Sequence, residues 1–371
     1  MADSIVATYL LSRPAAEAAR AARLVAVEQT VEVPESLITP DIDARVVGKV
    51  LSVEPAGEPE LHRARIAYDV ALSGFELPRL LNLVYGNVSL QNGIRLTDLE
   101  LPESFLGRFK GPNFGIAGLR RTLKVEGRPL LATALKPNGA STAEFERLAG
   151  DFVRGGGNLL KDDQNLCDAD VPAFAERVRR VQAAVSEANA KGGTNALYCP
   201  ILCGPADELE DRLAAVLGAG AAGVLAPPFL LGLDSVRHLA AKHGLLVMAH
   251  PSFTGTFFSD RTHGMTPGLL LGTLFRLAGC DVSIFPNPGG RFGFSKEECA
   301  DLSDRLTGPL GRLAPAFPAP AGGMTFDRLP DMARDYGTDS VFLVGGGLLA
   351  HAKSVYDGTR AFSDAISGLV R

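Results

Sequence analysis

From Pro129 onward, short apolar runs alternate with amphipathic segments. The runs are PLLATAL (129–135), NLLKDD (158–163), ALYCPILC (196–203), GVLAPPF (223–229), LLVMAH (245–250), DVSIF (281–285), FPAPA (317–321) and VFLVG (341–345). Near-continuous apolar character is the mark of strands buried on both faces of a parallel sheet. Between them lie segments such as TAEFERLAGDFVRGG, VPAFAERVRRVQAAVSEA, DELEDRLAAVLGAG and SVRHLAAKHG, several opening at Ser, Thr or Asp and closing at Gly, as capped helices do. Eight such units in roughly 240 residues predict a (β/α)8 barrel, a fold of about 250 residues. A doubly wound sheet would need fewer strands and a glycine-rich phosphate loop after the first one.

The first hundred residues follow another pattern. IVATYLL reads as a strand and PAAEAARAARLVAVEQ as a helix with a small-residue face. ARVVGKVLSVE and ARIAYDVALS alternate as strands, LPRLLNLVY is helical, and a short extended piece is expected near Gly86. The order β-α-β-β-α-β is the ferredoxin-like arrangement. The expected fold is α/β: a small ferredoxin-like α+β domain over 1–118, then a C-terminal (β/α)8 TIM barrel over 119–371, with the join in the stretch 111–127.

Composition works by exclusion. The 371 residues are 46% hydrophobic and 21% charged with a net charge of −5, so no basic footprint points to nucleic acid. No apolar run reaches the ~18–20 residues of a membrane span, and the start lacks a basic segment followed by a long apolar one. A cytoplasmic location is expected. The cysteines (Cys167, Cys199, Cys203, Cys280, Cys299) are few and odd in number, which suits a reducing compartment. Cys199 and Cys203 are spaced like a metal pair, but period 2 puts both on one strand face. No second Cys/His pair completes a zinc site, so packing is the expected role.

Barrel enzymes place their chemistry at the C-terminal ends of the strands. Those ends carry Lys136-Pro137-Asn138-Gly139, Lys161-Asp162-Asp163-Gln164, His250-Pro251 and Pro286-Asn287-Pro288-Gly289-Gly290-Arg291. The last two strands end in Gly322-Gly323 and Gly345-Gly346-Gly347. Bare glycines after strands 7 and 8 let backbone N–H groups approach a phosphate, although glycine also serves simple turns. Lys136 and Lys161 come from neighbouring strands. Burial disfavours a charged amine, so either is a candidate acid or base; the bland alternative is a lysine reaching solvent. Asp162 and Asp163 point to opposite faces of a strand, so one can face the site while the other braces a helix. His250 is a candidate acid/base or hydrogen-bond donor, while His263 and His351 fit function and packing equally.

The run GGGNLLKDDQN, with LLATALKPNG before it and GGG after the last strand, resembles the RuBisCO large subunit. The likeness covers nearly the whole chain: VAVEQT around Glu28, VYGNVSL around Asn87, GRPLLATALKP, HGM at His263, PAPAGGM and FLVGGGLLAH. The departures make the chain similar to the RuBisCO-like (form IV) proteins, which lack carboxylase chemistry.

The resemblance implies several roles. The lysine matching Lys161 takes up CO2 as a carbamate, which with the acids matching Asp163 and Gln164 holds Mg2+; here the second acid is an amide. Lys136 matches a lysine that moves protons on the enediolate, and that motif's second lysine is Asn138. Glu28 and Asn87 match residues offered to a second subunit's barrel, implying a homodimer or higher homo-oligomer with active sites between subunits. Gly322, Gly323, Gly345 and Gly346 match the glycines around one phosphate. The carboxylation lysine of the strand-6 loop is absent, with Arg291 the nearest basic group. The second phosphate pocket's cationic and polar residues correspond to Pro251, Ile284 and Ala321, none of which pairs with a dianion.

The expected function is therefore enediolate formation from a monophosphorylated keto-sugar or keto-sugar acid, without CO2 fixation. An example is decarboxylation or hydrolytic cleavage of 3-oxo-isoapionate 4-phosphate, since CO2 loss from a β-keto acid also yields an enolate. The alternative is a methionine-salvage reaction: enolisation of 2,3-diketo-5-methylthiopentyl 1-phosphate or isomerisation of 5-methylthioribulose 1-phosphate. That substrate would need an apolar slot, for which Phe253, Phe257, Ile284 and Phe285 are candidates. A non-catalytic sugar-phosphate-binding relative is the third reading.

Overall fold

In the computed structural model, residues 3–290 and 292–369 are described. They form two compact units: one runs to Lys110 and takes in Phe253–Leu270 and Leu310–Leu313, and the other begins at Gly111 and holds the rest.

The first unit has β1 (Ser4–Ser12), β2 (Lys49–Ala56), β3 (Glu58–Asp69) and β4 (Ile94–Glu100), with helices Ala15–Glu28 and Leu77–Tyr85. Strand order is β4-β1-β3-β2, all antiparallel, which is the ferredoxin-like arrangement. Alternation explains the burial: Ile5, Ala7, Tyr9 and Leu11 on β1 face Ala64, Ile66 and Tyr68 on β3, all fully buried. Tyr9 donates to the Val84 carbonyl (2.6 Å), pinning the helix Leu77–Tyr85 to the sheet.

Two local expectations are corrected. The segment after Gly86 is not extended but a 3₁₀ turn, Asn87–Leu90, and the fourth strand is Ile94–Glu100. Its tight course is fixed from outside, because the Val88 N–H donates to the Gln29 side chain (2.9 Å). Likewise Ala44 and Arg45 close a short helix, Pro40–Arg45, N-capped by Thr39, so β2 begins only at Lys49.

The second unit is the barrel. Its parallel strands are β5 (Leu130–Ala134), β6 (Leu159–Lys161), β7 (Leu197–Cys199), β8 (Gly223–Ala226) and β9 (Leu246–Ala249). After β10 (Gly264–Met265), which pairs with β4 in the first unit, come β11 (Val282–Pro286), β12 (Phe317–Ala321) and β13 (Val341–Leu343). The order β7-β6-β5-β13-β12-β11-β9-β8 is closed by a bridge between Ile201 and Leu225. Residues spaced by two fill the interior, among them Leu130 and Ala132, Leu246 and Met248, and Phe317 and Ala319. The helix Gly115–Leu123 adds Ile116, Leu119 and Leu123 to this core, so residue 118 lies inside a helix of the barrel unit. The helices Thr142–Arg154 and Lys296–Thr307 open with capping boxes at Ser141 and Ser295. By contrast, Leu209–Gly218 and Leu233–His243 lack a side-chain cap. Among the described residues, no helix is long and apolar enough to cross a membrane.

Candidate active site

On β6 the two-residue period decides which groups meet. Leu159 faces the barrel interior, so Lys161 and Asp163 continue on that side while Asp162 points outward. Lys161 is 3% exposed and donates to the Asp162 carbonyl (2.9 Å). Asp163 accepts a hydrogen bond from Lys136, which comes from the end of β5, and another from the Asn165 N–H (2.9 Å). Asn138, from the same end, donates to the Asn165 carbonyl (3.1 Å). Asp162 is the brace. Fully buried, it accepts from Tyr198 (2.6 Å), Arg177 (2.9 Å) and the Ile201 N–H (2.8 Å). Arg177 lies on the helix Val171–Gly192 and also grips Asp168 with two hydrogen bonds.

The inward groups share one field. Burial brings the Lys161 ammonium down to about 8, with Lys136 adding to the fall and Asp163 opposing it. Burial and then the positive charge of Lys161 push His250 down to about 3, so it is neutral near pH 7. Its Nδ1 shares a hydrogen bond with the Ser252 hydroxyl (2.6 Å). For Asp163 burial works upward, but the hydrogen bonds from Lys136 and Asn165 outweigh it and hold the carboxyl below its usual range. Cys199, paired in register with Lys161 and part of the barrel core, is pushed up to about 12 by burial; Cys203 packs against the same core. Both cysteines pack in the barrel, as expected, but β7 ends at Cys199, so they do not share one strand face.

The glycine turns follow β12 and β13, and β13 pairs with β5, so the second turn adjoins the Lys136 end of the rim. Gly322 and Gly323 hold φ of +87° and +63°, a region that disfavours any side chain. A Cβ on Gly322, Gly345 or Gly346 would meet nothing within 4 Å, so their backbone lies open to a ligand. A small, mostly apolar cavity of about 40 Å³ counts Lys136, Gly345 and Gly346 among its lining residues.

Other candidates fall elsewhere. Glu28 and Asn87 meet in the first unit, where the Asn87 amide donates to the Glu28 carboxylate (3.0 Å). His263 also lies there, its ring 6.3 Å from that of Tyr85. Ile284 belongs to the barrel core below the rim, and Phe285 faces outward onto Tyr336 with ring centres 6.0 Å apart. Neither therefore lines an apolar slot at the rim, and the inward rim position of β11 is Pro286. Phe253, in the first unit, is 64% exposed with φ of +68°. Ala321 is half-buried at the end of β12. Arg291 lies outside the described residues, as does the side chain of His351. Reading by residue type missed Arg177, Tyr198 and Ser252. Only Ser252, two positions after His250, carried a local signal.

Mg2+ requires oxygen donors. Asp163 supplies a carboxylate and half-buried Gln164 an amide oxygen, while Lys161 as an amine supplies none. Among the described residues, no group of three His, Cys, Asp or Glu could hold a metal. A carboxyl added to Lys161 Nζ would supply the missing oxygen donor, and burial, by lowering the ammonium to about 8, makes the neutral amine more accessible than on an exposed lysine.

The family model for the catalytic domain of the ribulose bisphosphate carboxylase large chain matches residues 115–285. The chain is 37% identical over 372 residues to 5-methylthioribulose-1-phosphate isomerase of Rhodospirillum rubrum, covering 99% of this chain and 97% of the relative. It is 34% identical over 339 residues to 2,3-diketo-5-methylthiopentyl-1-phosphate enolase of Geobacillus kaustophilus, covering 87% and 82%. The crystal structure of a Rubisco-like protein from Rhodopseudomonas palustris superposes with a TM-score of 0.89 at 35% identity, covering 99% of this chain and 98% of that one.

Proposed function

The chain belongs to the RuBisCO large-chain family as one of its RuBisCO-like proteins, and we propose that it enolises a ketone bearing a single phosphate. It is an enzyme of the family's enolising kind. The observation that carries the substrate reading is the inward cluster of Lys161, Asp163, Lys136 and His250 on the rim that also holds the open glycine turns.

Enolisation takes a proton from the carbon beside a carbonyl and leaves negative charge on oxygen. The site must move that proton and stabilise that oxygen. Lys136, half-exposed beside Asp163, moves the proton. Neutral His250, oriented by Ser252, hydrogen-bonds a substrate oxygen. Addition of CO2 to the neutral amine of Lys161, with release of a proton, turns that side chain into an oxygen ligand. Lys161 so modified, Asp163 and Gln164 would then hold Mg2+, whose chemistry there is polarisation of the ketone. Gly322, Gly323, Gly345 and Gly346 receive the phosphate. Glu28 and Asn87 serve the barrel of a second copy in a homodimer, and Arg291 is the basic group of the strand-6 loop. With Pro251 and Ala321 offering no charge for a second phosphate, ribulose bisphosphate is a poor substrate and CO2 fixation is not the reaction.

Two substrate classes share this step. A keto-sugar or keto-sugar acid such as 3-oxo-isoapionate 4-phosphate would reach the enolate by proton removal or by loss of CO2. A methylthio-substituted pentose phosphate or diketone is favoured by the names of the Rhodospirillum and Geobacillus relatives. The test incubates each compound with enzyme in D2O, with Mg2+ and bicarbonate. Mass spectrometry then follows deuterium gain beside the ketone, isomerisation and CO2 release. Turnover of one monophosphate and not of ribulose 1,5-bisphosphate is expected. Absence of turnover with every monophosphate sinks the substrate reading, and full activity in chelator sinks the metal assignment.

A further inference from the structure

We propose that Arg328 is a positioning residue that ties the loop after β11 to the glycine turn after β12, holding that turn in the form that receives the substrate phosphate. The inference rests on the phosphate reading of Gly322 and Gly323 given above. Arg328 immediately precedes the helix Leu329–Tyr336. Its Nη1 donates to the Gly323 carbonyl (3.2 Å) and its Nη2 to the Pro288 carbonyl (2.8 Å). One planar fork thus bridges the backbones of two loops from neighbouring strands.

The loops are also in contact. A Cβ on Gly323 would lie 3.6 Å from the Gly290 Cα, and a Cβ on Gly290 would lie 3.6 Å from the Gly322 carbonyl oxygen. The base of the first loop is anchored separately, since Tyr336 donates to the buried Asn287 side chain (2.8 Å). Asn287 holds the flanks of the glycine turn directly, its N–H donating to the Ala321 carbonyl (2.9 Å) and its amide to the Met324 sulfur (3.8 Å), and Arg328 adds the tie at Gly323 itself. Two consecutive glycines with positive φ are the least constrained backbone a site can have, and ordering them on binding weakens affinity. Because the peptide unit is planar, fixing the Gly323 carbonyl also fixes the direction of the Met324 N–H. Arg328 itself is no phosphate ligand. The cleft of about 230 Å³ that Arg328 helps to line also holds Asp331 and Asp335 beside Lys296, and two carboxylates repel a phosphate.

The experiment titrates inorganic phosphate calorimetrically into the full-length protein, alongside thermal unfolding. The variants are Arg328→Ala, Arg328→Lys and, as a site control, Gly346→Asp, whose φ is ordinary and whose new Cβ meets nothing within 4 Å. We expect Gly346→Asp to abolish binding by repulsion. Arg328→Ala should weaken binding at least about tenfold, and millimolar guanidinium should restore it. Arg328→Lys should bind nearly as poorly as Arg328→Ala, because an ammonium keeps the charge but not the two-pronged fork. Wild-type affinity in Arg328→Lys would show that charge alone matters and overturn the proposal, as would wild-type affinity in Arg328→Ala. Should the alanine variant fail to fold, the lysine variant decides. Unchanged binding in Gly346→Asp would instead overturn the phosphate reading on which the proposal stands.

Discussion

Replacing Lys161 by methionine should destroy activity and stabilise the protein. The side chain is 3% exposed, and burial takes its ammonium from 10.5 to about 8. At about 1.36 kcal/mol per pH unit, that fall corresponds to roughly 3 kcal/mol for holding the charge inside the barrel. The sign follows from proton counts. Below pH 8 both folded and unfolded chains carry the proton, so the cost is fully present. Between about 8 and 10.5 the unfolded chain binds more protons than the folded one, so this residue makes stability rise with pH. A methionine of similar length removes the charge and keeps the packing. Lys161→Met should therefore gain about 3 kcal/mol at pH 7 and roughly half that at pH 9.5, where the unfolded lysine is still mostly protonated. With no tryptophan in the chain, far-UV circular dichroism is the signal for urea unfolding. Buffers must be free of CO2 so that the wild-type amine stays unmodified. A variant no more stable than wild type at pH 7, or a gain that does not shrink toward pH 9.5, would refute the desolvated amine. The physical basis of the proposed CO2 uptake would go with it.

Lys136→Ala should lower kcat/KM by at least about 10²-fold, as loss of a proton-moving group does, with an unchanged circular dichroism spectrum because the side chain is half-exposed; near-wild-type kcat would remove Lys136 from the chemistry. Gln164→Glu restores an anionic oxygen and should tighten Mg2+ binding about tenfold, roughly 1.4 kcal/mol by calorimetry in bicarbonate buffer; unchanged affinity would place residue 164 outside the ligand set. Asp162→Asn leaves the buried Arg177 with Asp168 as its remaining carboxylate partner and should cost about 3–5 kcal/mol in urea unfolding; a loss under about 1 kcal/mol would show that Asp162 is not the brace.

The neighbouring aspartates show how much of this site the sequence could carry. Alternation along NLLKDD requires one of them to face the site and the other to face away, and that much is local. Which one braces a helix depends on Arg177, fifteen residues further along, and on Tyr198 on the next strand. No spacing rule announces these partners, because they meet only when β6, β7 and the helix Val171–Gly192 pack. The same limit explains Ile284 and Phe285. In an all-apolar strand, polar contrast cannot tell the inward face from the outward one, nor say how far up the barrel a residue sits. Only the pairing of β11 with β12 fixes its register and makes Pro286, level with Ala321, the rim residue. Polar residues at strand ends are legible because burial there is costly without a task or a partner. Lys161 and Asp163 stood out for that reason and Arg328 did not, since an arginine at the mouth of a surface helix is unremarkable until the two carbonyls it bridges are known. The chemistry of this rim is thus set by residues that violate the apolar pattern of their strands. Its geometry is set by residues, such as Arg177, Ser252 and Arg328, that obey the pattern of theirs.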